Sequence, residues 1–147
     1  MTSSRSTETP AWIQRFRAPS VDWTQHAAAN PQRGILASNE SGIFQLYAWD
    51  TVNNSTRQVT LSDEGTLFGF ISPDGRYVFY FEDESGNEIG HWLRVPFAGG
   101  DPELATPTLD NYNRLPLRFS TDGRGMAVTT TSPAGFSVTF FPLDADG

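Results

Sequence analysis

Two histidines, seventeen carboxylates and no cysteine are the raw material for chemistry in this 147-residue chain. Nucleophilic hydrolysis needs an activated Ser beside a His and an acid, and the Ser commonly sits on a sharp Gly-x-Ser-x-Gly elbow. The sequence contains no such elbow, and His26 and His91 are its only imidazoles. The absence of Cys removes disulfides, thiolate nucleophiles and Cys-based zinc sites together. His91, within Glu88-Ile89-Gly90-His91-Trp92-Leu93, invites a reading as a ligand or substrate contact. No second metal-binding residue accompanies it at strand spacing, so it reads as a satisfied His on an inner strand. His26 reads as a strand or loop residue.

The acidic tract Glu82 to Glu88 has the look of a calcium loop. An EF-hand loop requires Gly at its sixth position and a bidentate Glu at its twelfth. With Asp83 first, Glu88 and Arg94 occupy those places, so a solvated hairpin turn is the better reading. Paired carboxylates for glycoside cleavage are defined by spatial separation, and no pair is assigned. The aromatics Phe68, Phe70, Phe79, Phe81, Trp92, Phe119 and Phe140 could pass for a sugar-binding platform. In strands they are expected to form core between packed sheets, where large rings bury most area. No catalytic, cofactor-binding or metal-binding residue is assigned, no cofactor is expected, and substrate-binding residues are left open.

The remaining composition points to a folded β protein. Aromatics make up 13% of the chain, enough apolar surface to offset chain entropy, and 13 Gly and 10 Pro suit many short strands and turns. All ten basic residues are Arg, and the net charge is −7. An acidic chain without a basic cluster is poorly suited to gripping phosphates, which argues against nucleic acid. The start, Met1 to Pro10, lacks a signal-peptide core, and no run of about 18 apolar residues occurs. A cytoplasmic protein without a membrane partner is expected.

The elements that would position these residues repeat along the chain. Residues 1–9 read as a disordered tail, and residues 10–20 as a lead-in whose Trp12, Ile13 and Phe16 pack onto something. The clearest unit follows Leu67 to Ile71 with the turn Ser72-Pro73-Asp74-Gly75-Arg76, where Pro sets φ and Gly accepts a positive one. Tyr77 to Phe81 is apolar on both faces, so both faces should be buried. Ile89 to Val95 is the next strand, and Glu103 to Thr106 the outermost. Leu117 to Arg124 repeats this opening at an offset of 48, with Met126 to Val128 and Phe136 to Phe140 as inner strands. Asn30-Pro31-Gln32-Arg33 stands 43 residues before Pro73-Asp74-Gly75-Arg76 and marks the first unit's turn. Gly34 to Ser38, Ile43 to Trp49 and Arg57 to Thr60 would be that unit's remaining strands.

Meanders at these offsets predict an all-β fold, a partial β-propeller of about three antiparallel four-stranded blades at about 21–63, 64–108 and 109–147, the third incomplete. Strands of an immunoglobulin-like sandwich need not repeat as units. Rings close with about four to eight blades, so the expectation is a fragment of a longer chain, with an open stack pairing with another copy as the alternative. Exposed blade edges would favour self-association.

Ser72-Pro73-Asp74-Gly75-Arg76, the Gly86-Asn87-Glu88 turn and Arg94-Val95-Pro96-Phe97-Ala98-Gly99-Gly100 together resemble the propeller of prolyl-oligopeptidase-family serine peptidases, in particular the acylaminoacyl-peptidase and dipeptidyl-aminopeptidase group. Gln14 to Pro19 and Ser41 to Asp50 with Arg57 to Thr60 are similar to the lead-in of that group. The likeness spans about residues 10–143. It implies a propeller that caps a C-terminal α/β-hydrolase domain, gates peptide substrates and leaves catalysis to that domain, so this chain alone would not be an enzyme. Some relatives hold a substrate's amino terminus with a propeller Glu pair, a role not carried to Glu82, Glu84 or Glu88. Ser-Pro-Asp-Gly also occurs in TolB-like propellers, which makes a non-catalytic interaction scaffold the second reading.

Overall fold

A computed structural model describes residues 18–83 and 86–143. The expected tail over 1–9 and the lead-in trio Trp12, Ile13 and Phe16 lie outside the described residues. Three antiparallel sheets follow one another. The first holds β1 (Val21–Ala27), β2 (Asn30–Ser38), β3 (Gln45–Asp50) and β4 (Ser55–Gln58), in that spatial order. The second holds β5 (Gly69–Ile71), β6 (Tyr77–Asp83), β7 (Ile89–Pro96) and β8 (Glu103–Leu104), and β9 (Tyr112–Asn113) also pairs with β7. The third holds β10 (Leu117–Phe119), β11 (Gly125–Ser132) and β12 (Gly135–Pro142). No described helix is long and apolar enough to cross a membrane.

The sheets stack face to face, and β6 explains why. Successive strand residues point to opposite faces. Val78 packs with Ile35 and Ala48 of the first sheet, and Tyr80 with Ala37 and Leu46. Phe79 turns the other way, onto Leu117, Met126 and Val128 of the third sheet. Val78 and Phe79 are both fully buried, so a strand apolar on both faces is buried on both faces. The rings of Phe70, Phe79, Phe81, Trp92 and Phe119 interlock between the second and third sheets, with Phe79 and Phe119 edge to face at 5.2 Å.

Phe68 and Phe140, expected in that core, are 59% and 78% exposed. Phe68 precedes β5 and lies under the Arg114 guanidinium, 5.6 Å from the ring centre. Phe140 pairs with Ala127, one residue away from the core-facing Met126 and Val128, so it projects from the opposite face.

The first unit's turn also differs from expectation. The chain reverses at Ala28-Ala29, not at Asn30 to Arg33, because Ala27 already pairs with Asn30. Pro31 falls in the register shift between His26 and Ala27, where a strand tolerates a missing N–H. Packing therefore matches Ile35 to Phe79, 44 residues on, and not to Val78. A slip of one residue exchanges the faces of a strand. The first sheet's outer strand begins at Ser55, and Thr60 lies past its end. There the Thr60 hydroxyl accepts from Leu46 N–H at 2.9 Å and donates to Gln45 Oε1 at 2.7 Å.

Candidate functional site

The turns joining the first two strands of each sheet gather at one end of the stack. In the second sheet the Asp74 carboxylate accepts from the Ser72 hydroxyl at 2.6 Å and from Arg76 N–H at 2.9 Å. The Ser72 hydroxyl also accepts from Tyr77 N–H at 3.0 Å, and Arg76 pairs with Asp74. Asx-type bonding of this kind makes the side chain stand in for backbone in a tight turn. The third sheet repeats it: Asp122 accepts from the Ser120 hydroxyl at 2.6 Å and from Arg124 N–H at 3.0 Å. Gly125 N–H donates to the Ser120 hydroxyl at 2.9 Å. Partial burial opposes ionisation of Asp74, but the bonds from Ser72 and Arg76 outweigh it and hold its carboxyl below the ordinary range. Asp122 is lowered in the same way, chiefly by the Ser120 hydroxyl.

These turns nest against one another. Ala29 N–H donates to the Pro73 carbonyl at 2.7 Å, and the Arg33 guanidinium to the Gly75 carbonyl at 3.1 Å. Gly75 has φ +75°, and a Cβ there would stand 3.1 Å from Arg33 Cβ and 3.2 Å from Ala27 Cβ. Pro73 in turn backs Gly123, whose φ is +71°. A cleft of about 460 Å³ opens between the turns, lined by Ala28, Asp74, Arg76, Asp122, Arg124 and Leu143. Its mixed charge suits polar recognition. Ser72 and Ser120, outside the cleft's lining, each donate their hydroxyl to its Asp74 or Asp122 carboxylate.

The histidines belong elsewhere. His26 lies on β1, its Nδ1 3.1 Å from the Pro31 carbonyl, with its ring tilted on Trp49 at 5.2 Å. His91 lies on β7, the inner strand expected for it. It is not satisfied, however: its buried Nδ1 has no hydrogen-bond partner among the described residues, and the ring meets Tyr112 edge to face at 5.8 Å. Asp83 closes the acidic turn by accepting from Gly86 N–H and Glu88 N–H, both at 3.0 Å, which makes it a turn cap. Among the described residues no three His, Asp or Glu gather so as to hold a metal ion.

A second concavity of about 880 Å³ runs between the connection from β4 to β5 and the second sheet. Glu64, Glu82, Arg57, Arg114, Phe68 and Tyr80 are among its lining. Burial, with the Glu82 charge nearby, pushes the Tyr80 hydroxyl up to about 12, so it stays protonated. Arg57 spans the gap between sheets, donating to the Phe97 carbonyl at 2.7 Å and to the Pro96 carbonyl at 3.2 Å. This groove was not foreseen, because a connection's path over a sheet leaves no periodic trace. Nor was β9, though a buried Tyr112 is a signal of it. The Tyr112 hydroxyl accepts from Trp92 N–H at 3.1 Å and shares a 2.8 Å bond with Thr106.

No protein-family model matches the sequence, and no curated protein matches it. Among solved structures the chain is similar to TolB from Acinetobacter baumannii, with a TM-score of 0.56 at 21% identity. The match covers 85% of this chain and 31% of the TolB chain, so the chain spans about a third of that protein's length. At this identity the likeness is one of fold. Over the described residues the chain is an all-β stack of propeller-type blades, three antiparallel sheets that do not close into a barrel.

Proposed function

We propose that this protein is a TolB-like propeller scaffold that recognises other proteins and performs no catalysis itself. The observation that carries this reading is the turn-end cleft. Its carboxylates, Asp74 and Asp122, are spent on the neighbouring Ser72 and Ser120 hydroxyls within repeated turns, and its lining offers Arg124 and mixed charge for recognition. The fold likeness to TolB supports it further.

The narrower reading is a propeller that gates peptide substrates and docks on an α/β-hydrolase domain of a serine peptidase. It is favoured by the run from Ser72 to Gly100, whose turns resemble that family. Both readings expect an inert chain in isolation. Incubation with chromogenic aminoacyl and acyl-aminoacyl substrates, beside a fluorophosphonate serine probe, should give neither turnover nor labelling. Turnover abolished by the probe would overturn both. Coding sequence read on past Gly147 separates them: a Gly-x-Ser-x-Gly elbow with later Asp and His supports the peptidase, and further blades alone support the scaffold.

A further inference from the structure

β6 begins beside Arg76 of the turn-end cleft and finishes at Glu82 and Asp83, which line the concavity of about 880 Å³ at its other end. The walls are the first sheet's outer strand, the β4–β5 connection and the second sheet. The shape of this groove therefore does not depend on what adjoins the third sheet. The connection is pinned in place. The Trp23 indole N–H donates to the Leu67 carbonyl at 2.7 Å, the Gln45 side-chain amide to the Ser62 carbonyl at 2.6 Å, and Thr66 N–H to the Phe44 carbonyl at 2.7 Å. A wall formed before a ligand arrives lowers the ordering cost of binding.

Four carboxylates and two guanidiniums line the groove, and they are unequally committed. Arg57 gives its donors to the carbonyls of Gln58, Pro96 and Phe97. Arg114 pairs with Glu88 at 3.2 Å and lies over the Phe68 ring. Asp83 caps its own turn. The carboxylates of Asp63, Glu64 and Glu82 have no partner among the described residues. Glu64 reaches from the connection to the second sheet, where a Cβ added at Gly86 would stand 3.2 Å from its Oε2. Beside these acids is a buried polar group of another kind. Tyr80 shares a β6 face with Glu82, lines the groove and is only 7% exposed, yet its hydroxyl has no hydrogen-bond partner among the described residues. Leaving such a group unpaired is costly, and a neutral phenol can accept as well as donate.

We propose that this groove is a binding site for an arginine side chain presented by a segment of a partner protein. A guanidinium spreads five donors in one plane, so a single group can serve Glu64 on one wall, Glu82 on the other and the Tyr80 oxygen. Its alkyl stem suits the apolar part of the lining, Val59 and Phe81. Leu61 and Phe68, 86% and 59% exposed on the connection, offer apolar contact to the residues flanking the arginine. The site is separate from the turn-end cleft and does not rest on the reading proposed above.

Amide NMR titration of the full chain with a capped Gly-Leu-Arg-Leu-Gly peptide tests it. Saturable shifts should map to Glu64, Gly65, Phe68, Tyr80 and Glu82, with a Kd of about 0.1–1 mM. Citrulline in place of arginine keeps the shape without the charge and should weaken binding at least about 10-fold, and lysine at least about 3-fold. E64Q/E82Q, at two exposed residues, should weaken it at least about 10-fold. Tyr80→Phe should weaken it about 5-fold while the unfolding midpoint holds or rises, because the lost hydroxyl leaves no partner behind. Absence of saturation by about 5 mM would overturn the proposal, as would shifts confined to the turn-end cleft. So would equal affinity for the citrulline or lysine peptide, or undiminished binding by E64Q/E82Q or Tyr80→Phe. A wild-type dimer that E64Q/E82Q abolishes would make a second copy the occupant and overturn the assignment to a partner protein.

Discussion

At the scale of single residues, the Ser-x-Asp-Gly-Arg turns use their Ser and Asp side chains to hold the turn itself. Asp74 ties together Ser72, Arg76 and the start of β6, so Asp74→Ala should destabilise the chain by about 1 kcal/mol, discounted for a partly exposed site. Because its carboxyl is lower in the folded chain than in the unfolded one, the unfolded state takes up the proton first as pH falls. The stability Asp74 contributes is thus intact above the ordinary carboxylate range and disappears as pH drops through the folded value. Urea titrations at pH 7 and pH 2 should show a larger wild-type advantage over Asp74→Ala at the higher pH. Gly75→Ala should cost about 1–2 kcal/mol, since a Cβ would meet Arg33 and Ala27 at a left-handed φ. The same titration checks it, and an unchanged midpoint would refute the nesting of these turns.

Strands were legible where both of their faces work. Tyr77 to Phe81 declared two buried faces, and the structure gives each a sheet to pack on. The turn at Ser72 to Arg76 was readable because Pro, Asp and Gly each have one job there. Asn30 to Arg33 misled for the same reason: Pro beside Asn signals a turn, but the preceding Ala-Ala turned more tightly and left Pro31 in a bulge. Phe140 misled because hydrophobicity marks a strand without saying which face a partner covers. The two kinds of Phe should separate in experiment. Phe79→Ala should lower stability by about 3–5 kcal/mol, and Phe140→Ala by less than about 0.5 kcal/mol at concentrations that keep the chain monomeric. Chemical denaturation at low micromolar concentration measures both.

Across the whole molecule, the second sheet is the keystone, sharing one face with each neighbour. Candidate chemistry is dispersed over this stack: the two histidines sit on different sheets, and the charged side chains lining the turn-end cleft are Asp74, Arg76, Asp122 and Arg124. Little of that could be read from sequence, because which turns converge depends on how the sheets stack and not on any local spacing. The stacking itself is therefore the claim on which the rest depends. Methyl and aromatic NOE spectroscopy tests it most directly. Stacking in chain order gives contacts from Ile35 to Val78 and from Phe79 to Val128. Contacts from Ile35 to Val128, with those two missing, would put the first sheet on the third and contradict a propeller-type stack.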